Sequence, residues 1–433
     1  MPSRPQYALM SSKDKNMVLF ICSSSAVVFF DFLIYLYMAD FISLTFFPAN
    51  IDPSINKLQG LGLFSVGYLA RPLGGIFFGR YGDTIGRKPV LFTTMLITAS
   101  SLLAMACLPT YQQWGLAAPI LFILLRLVQG MAFGVFVPLT WIFIAEHLPR
   151  QYLSVGCSYV SASFFVGVLF SNAFFAWLTG SMSPDQLIDY GWRIPFIVAA
   201  TLSFLPLLTW RFVSESPFFL AMKTLRPADH IERPFTLLFK HCKHSIFVGL
   251  MLTLIIASVT TVVILILPDL IELRFALDSD LFEFSHGLGI IFMIFGCIFY
   301  GLISNYENFG RILVIGCVLL IGQIFAFYYH LQAGGDYILI MYALLGFFAG
   351  IIGMIPAIFV QLFPTNVRST GFAFSYNIMY AIVGALVPFG LGYATLIVSF
   401  SPALYIAFIG LIGIIMGLYF YRLPEFKQIN KII

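Results

Sequence analysis

Residues 79–88 read Gly79-Arg-Tyr-Gly82-Asp83-Thr-Ile-Gly86-Arg87-Lys88, a short charged run set between apolar stretches at 58–78 and 88–108. Its glycines permit a tight turn and a close approach of helices. Asp83 and Arg87 stand one helical turn apart, so they can pair, and either can meet a neighbouring helix terminus. The flanking stretches have the roughly 20 apolar residues a membrane-crossing helix needs. This run is therefore read as a turn between two spans. Alone it is no more than a positively charged loop; its surroundings decide the rest.

Outward from it, the composition points the same way. Of 433 residues, 60% are apolar, 10% charged and 17% aromatic, and the mean hydropathy is +0.95. A soluble domain carries about 25% charged residues, so a water-facing surface could not be covered. Single-sign disorder, collagen and a disulfide scaffold fall to the same numbers. A β-barrel would show segments of about ten alternating residues, whereas the runs here are continuous. The expected fold is an all-α membrane protein with twelve spans, at 17–47, 58–78, 88–108, 116–146, 152–178, 193–212, 245–268, 283–304, 311–330, 337–362, 369–398 and 402–421. The first run is too long for a signal-peptide core and no cleavage site follows, so it reads as a retained span.

An even number of spans puts both termini on one side, and lysine and arginine choose the side. Eighteen of them fall on the termini side and three, Lys57, Arg193 and Arg274, on the other. Both termini are expected to be cytoplasmic. The segments are a tail at 1–16, a six-helix bundle at 17–212, a cytoplasmic linker at 213–244, a second bundle at 245–421 and a tail at 422–433. Two echoes support the division. Glu146-His-Leu-Pro149 with Gly156 returns 215 positions later as Gln361-Leu-Phe-Pro364 with Gly371. The run at Gly79 returns, degraded, as Gly301-Leu-Ile-Ser-Asn305 followed by Gly310-Arg311. Two-half transporters commonly show such weak internal symmetry.

In a twelve-span duplicated chain, Gly79, Gly82, Asp83, Gly86, Arg87 and Lys88 resemble the loop motif of the major facilitator superfamily, with Glu146 at the matching end of the fourth span. That resemblance implies a cytoplasmic gate between the halves. Other stretches are similar to the metabolite:proton symporter family within it: Asp31-Phe32 with Tyr35 and Phe46-Phe47-Pro48, Arg71-Pro72 with Gly75, Arg126-Leu-Val-Gln129-Gly130, Gly191-Trp192-Arg193, Glu215-Ser216-Pro217, and Phe363-Pro364-Thr365 with Arg368. The resemblance implies a secondary transporter in a bacterial inner membrane, taking up osmolyte zwitterions, organic acids or related metabolites with protons. Superfamily members suggest a monomer. Two acids usual in the family are replaced here, by Val28 and by Phe136 in Gly134-Val135-Phe136. Their loss keeps a metabolite exporter or a proton-independent facilitator open, along with a transporter-like sensor.

Charges at membrane depth cost at least about 2.5–3.5 kcal/mol, so they pair or face a cavity. Asp31 lies about 21 Å into the first span at 1.5 Å per residue. It is either a proton-carrying carboxylate or a structural partner of Arg71 or Arg126. Arg126 could hold a substrate carboxylate or tune Asp31; Arg71, beside Pro72 and two glycines, is a substrate ligand or a packed structural arginine. Tyr35 shares a face with Asp31, and Gln129 shares one with Arg126. Asn172 and Asn377 are amides in the fifth and eleventh spans, substrate ligands or interhelical glue. The 48 phenylalanines read as packing and lipid-facing surface rather than an aromatic cage, although one or two could stack on a quaternary ammonium.

Other signals are declined. His241-Cys242-Lys243-His244 reads as a solvated basic stretch, and none of the six cysteines has metal-ligand spacing. No Walker A loop, GxSxG or HExxH occurs, so neither ATP-driven transport nor hydrolysis is expected. Neither a metal, a cofactor nor nucleic acid is expected as a partner. The expectation is a non-enzymatic, proton-coupled carrier of a small polar metabolite, with a zwitterion favoured over a carboxylate.

Overall fold

The computed structural model describes residues 10–48, 53–210, 213–225, 234–274, 279–334 and 337–423. Arg4, Arg211, Arg226, Arg233, Lys427 and Lys431, six of the charges used to orient the chain, lie outside the described residues. So do the outer parts of both tails and the middle of the linker.

Twelve helical spans are present among the described residues. Ten helices are long and apolar enough by themselves to cross a bilayer, and the bent pair Pro184–Gly191 with Arg193–Leu208, at 49°, supplies the sixth span. The remaining one, the second, runs Pro53–Thr84 and is diluted by glycines and Arg71. The first span begins earlier than its apolar run, at Ser12, because Ser11 and Asp14 cap it reciprocally. It is also two pieces rather than one: Ser12–Tyr37 ends at Met38, and Ala39–Phe46 restarts with Asp40 in its first turn. A carboxylate there meets the positive end of the new helix. The linker holds two short helices, Pro217–Leu225 and Pro234–His241.

Large apolar residues such as Leu208, Phe389 and Ile415 face outward, which only a lipid environment accommodates. Inside, the helices meet through small residues. The second span packs backbone to backbone on the fourth (Ala117–His147), because a side chain at Gly74 would strike the Met131 backbone and one at Gly134 the Arg71 carbonyl. In lipid, where apolar burial drives no association between helices, such close contact is what holds them. The eighth span (Ser279–Ile303) and the tenth make the equivalent seam in the other half, with Gly289 on Gly346 and Gly296 on Gly350.

The halves meet where second span contacts eleventh (Arg368–Ile397) and eighth contacts fifth (Leu153–Ser181). These junctions are pseudo-equivalent. Gly79 lies against the Ser369 carbonyl and Ala373, while Gly301 lies against the Ser154 carbonyl and Ser158. Ser154 and Ser369, like Ser158 and Ala373, are 215 positions apart. The echo read in the sequence is thus a repeated helix junction.

Candidate functional site

Two polar clusters stand out in the apolar interior, one at mid-membrane and one at the end carrying the charged loop. The glycine seam between second and fourth spans brings Arg71 and Arg126 alongside the first span. Asp31, Arg71, Arg126 and Gln129 are all buried. Arg126 Nη1 donates to Gln129 Oε1 at 2.7 Å, and Gln129 Nε2 donates to Asp31 Oδ1 at 3.5 Å. Asp31 and Arg126 therefore communicate through an amide. No ion pair within 4.0 Å involves Asp31 among the described residues. Its Oδ2 has no hydrogen-bond partner there, nor do Nε and Nη2 of Arg126 or one Nη of Arg71.

Tyr35 joins this group by its face, 3.9 Å from the Arg126 guanidinium, and its hydroxyl donates to the Gly60 carbonyl at 3.4 Å. Arg71 forms a neighbouring group with Asn377: its Nε donates to Asn377 Oδ1 at 3.3 Å. The Asn377 amide is held by the Gly134 and Ala373 carbonyls. Phe32 and Phe133 stack at 4.3 Å between the two arginines, the Phe32 ring 5.6 Å from Arg126 and the Phe133 ring 4.9 Å from Arg71. Asn172 is elsewhere. It is half-buried on the fifth span and shares no hydrogen bond with these residues, because its neighbour Ser171 takes the buried face.

At the loop end, carboxylates hold helix ends and arginines. Asp83 accepts from Ser369 N at 3.0 Å and from Thr370 N and Oγ1 at 2.8 and 2.7 Å. A carboxylate of the first half thus caps the eleventh span of the second. Arg87 reaches Asp83 at 3.5 Å, donates to Glu146 at 3.0 and 3.2 Å, and donates to the carbonyls of Gly82 and Thr365, each at 2.7 Å. Glu146 also accepts from Arg368 at 2.7 Å and from the Ser216 hydroxyl. Glu215 caps the third span (Arg87–Ala106) by accepting from the backbone N–H of Arg87 and Lys88 at 3.1–3.2 Å. The Lys88 ammonium lies 4.4 Å from the Trp210 ring. Asp83 and Glu146 are buried against several donors, the condition under which buried charge is tolerated, and Glu215 is half-buried. With these contacts made, the two halves are joined on this side.

Two glycines make this junction possible. A side chain at Gly82 would collide with Ser369, so the second and eleventh spans could not close. Gly86 has φ +132°, where an L residue is strained, and a Cβ there would strike the Glu215 carboxylate. A Gly86→Ala protein is expected to lose about 1–3 kcal/mol from backbone strain and to weaken the Glu215 cap. Thermal unfolding in detergent checks it; an unchanged midpoint would show that the turn relaxes.

Several residues of these clusters carried no assignment in the sequence. Glu215, Ser216 and Arg368 stood within family-like stretches without a partner, and Ser369 and Thr370 donate backbone N–H groups to the capping Asp83. Tyr68, Phe133, Tyr376 and Tyr380 were hidden among 69 phenylalanines and tyrosines. Tyr68 stands three residues before Arg71, and Tyr376 and Tyr380 flank Asn377 on one face. That spacing was the available signal.

A family model described as Major Facilitator Superfamily matches residues 19–388. Among curated proteins, the chain is 28% identical to an inner membrane metabolite transport protein, YhjE, of Escherichia coli, covering 89% of this chain and 88% of that one. It is 29% identical to a proline/betaine transporter of Salmonella typhimurium, over 91% of this chain and 81% of the relative. Among solved structures, the proton:xylose symporter XylE superimposes with a TM-score of 0.81 at 16% identity, covering 96% and 98% of the two chains.

Proposed function

The chain belongs to the Major Facilitator Superfamily, and from that premise we propose that it imports a small zwitterion together with a proton by alternating access. The observation that carries this reading is the charge at mid-membrane. The cluster holds two buried guanidinium groups and one buried carboxylate, which is linked to Arg126 through Gln129, and N–H groups on both arginines have no partner among the described residues. Such a site attracts an anionic group, and the open fork on Arg126 suits a carboxylate.

Asp31 supplies the coupling. Ionised, it competes through Gln129 for the charge of Arg126; protonated, it leaves that guanidinium to the substrate. Each ligand then favours the other by the same factor, as linkage requires. Asp31 and Arg126 are the coupling pair in this reading. Tyr35, Arg71, Gln129 and Asn377 bind substrate, and Asn172 lies outside the assembled group. Gly79, Gly82, Asp83, Gly86, Arg87, Lys88 and Glu146 form the cytoplasmic gate whose release lets the halves rock about the midplane. The relatives named for metabolite and proline/betaine transport support a small polar substrate. The carrier works as a monomer in a bacterial inner membrane with both termini cytoplasmic.

The test is transport current in proteoliposomes pulsed with amino acids, betaines and di- or tricarboxylates, with and without an inward proton gradient. A gradient-dependent response to zwitterions is expected. A response confined to carboxylates would overturn the substrate class, and uptake indifferent to the gradient would overturn proton coupling. Silence across the panel, from folded protein in both orientations, would overturn import of such metabolites.

A further inference from the structure

The Arg71 guanidinium is surrounded by aromatic rings. Its central carbon lies 4.5 Å from the Tyr380 centroid, 4.9 Å from Phe133, 5.2 Å from Tyr68 and 5.5 Å from Tyr376. No carboxylate pairs with Arg71 among the described residues, so ring faces, the Tyr376 hydroxyl and the Asn377 amide are its partners. Four ring faces converging on one cation form a box, and cation–π attraction is strongest where water is excluded. Two walls, Tyr68 and Phe133, belong to the first half. The other two, Tyr376 and Tyr380, belong to the second.

We propose that this box is the subsite for a substrate's quaternary ammonium and that Arg71 is its built-in occupant, displaced when the zwitterion binds. The inference rests on the zwitterion reading above and deepens it. An ammonium cannot share the box with a guanidinium, since like charges repel there. The substrate's own carboxylate resolves the conflict by drawing Arg71 out through its unpartnered Nη. A carboxylate without a cation leaves Arg71 in place; a cation without a carboxylate gives the displaced arginine no partner. The box also selects the kind of ammonium. A primary ammonium brings three donors that need acceptors, whereas the Tyr376 and Tyr380 hydroxyls engage each other, Thr260 and Arg71, so withdrawing Arg71 frees one acceptor there and not three. A trimethylated nitrogen needs only the faces. Because the box is made by both halves, exchange of its occupant occurs where they must part.

The test compares glycine betaine with 3,3-dimethylbutanoate, its carbon isostere, which keeps the shape and carboxylate and lacks the positive charge. Binding to the purified full-length protein in nanodiscs is measured by calorimetry. Betaine is expected to bind wild-type protein about tenfold or more tightly than the isostere, the scale of a desolvated cation–π contact. That ratio should survive in Tyr380→Phe, which keeps the ring, and approach one in Tyr380→Leu. Equal binding of both ligands to wild type would overturn the box while leaving a carboxylate-binding site intact. A preference unchanged in a folded Tyr380→Leu protein would also overturn it. Proline or another amino acid bound tightly with betaine ignored would overturn the quaternary ammonium and keep the zwitterion. Binding of none of these would overturn both readings together.

Discussion

An Asp31→Asn protein is expected to lose proton-driven accumulation of substrate while keeping substrate exchange across the membrane. One charge moved through 100 mV is worth about 2.3 kcal/mol, so a coupled carrier can concentrate its solute about 50-fold at that potential. Without a titrating group at position 31 the ratio should fall to about one. Asparagine preserves the shape and the oxygen that accepts from Gln129, so the binding site should stand. Counterflow in proteoliposomes loaded with cold substrate reads the retained exchange, and accumulation under a proton gradient reads the coupling. Unchanged accumulation would show that Asp31 is not the proton carrier. If Asp31 were instead a structural counter-charge, the variant would show a lowered unfolding temperature and impaired exchange as well. The geometry disfavours that alternative, since no arginine lies within ion-pair distance of its carboxylate among the described residues.

The second large effect is expected at the gate. Arg87→Ala removes the buried cation that contacts Asp83, Glu146 and the Gly82 and Thr365 carbonyls. Breaking a buried ion pair by deleting one partner costs about 3–5 kcal/mol, because the remaining charge is stranded. Glu146 would retain Arg368 and Ser216, and Asp83 its bonds to Ser369 and Thr370. Those two buried carboxylates then share one cation, Arg368, and the Arg87 bond across to the Thr365 carbonyl is lost; because parting the halves lets water reach the carboxylates, the loss falls on the closed arrangement more than on the fold. A cost of that size shifts a two-state equilibrium by about a hundredfold or more. The measurement uses Ser369→Cys in a background lacking native cysteines. Ser369 is buried behind Gly82 with the gate closed, so an impermeant maleimide added from the gate side should label it far faster once Arg87 is gone. Equal labelling of folded protein with and without Arg87 would mean that the network does not hold the halves together.

The two clusters differ in how far they could be read before folding. At the gate the decisive residues, Gly82, Asp83, Gly86 and Arg87, are contiguous, and their chemistry is that of a turn and a helix end. The Asp83–Arg87 pair and a helix terminus as partner were legible, but not which helix: Asp83 is held by the backbone of Ser369 and Thr370, whose N–H groups would be there with almost any side chain. At mid-membrane, Asp31, Arg71 and Arg126 announced themselves by being charged where charge is costly. What their sequence positions left open was the pairing, because three spans can be rotated about their axes without changing composition. Asn172 and Asn377 looked alike as buried amides. The roll of the fifth span gives the buried face to Ser171, and the approach of the second span to the eleventh gives Asn377 to Arg71.

Composition and the spacing of apolar runs were sufficient for the class of fold and the twelve spans, because a bilayer imposes one requirement on every span and tolerates few alternatives; the duplication was legible from two short echoes. Only the packed structure could decide that Gln129 stands between Asp31 and Arg126, that Glu215 caps the third span, and that four aromatic rings from both halves enclose Arg71. Those arrangements depend on which faces of distant helices meet. In a chain with 48 phenylalanines and 21 tyrosines, aromatic identity carries no information about which rings will converge. Helix rotation, set by glycine seams that let backbones touch, is what selected them.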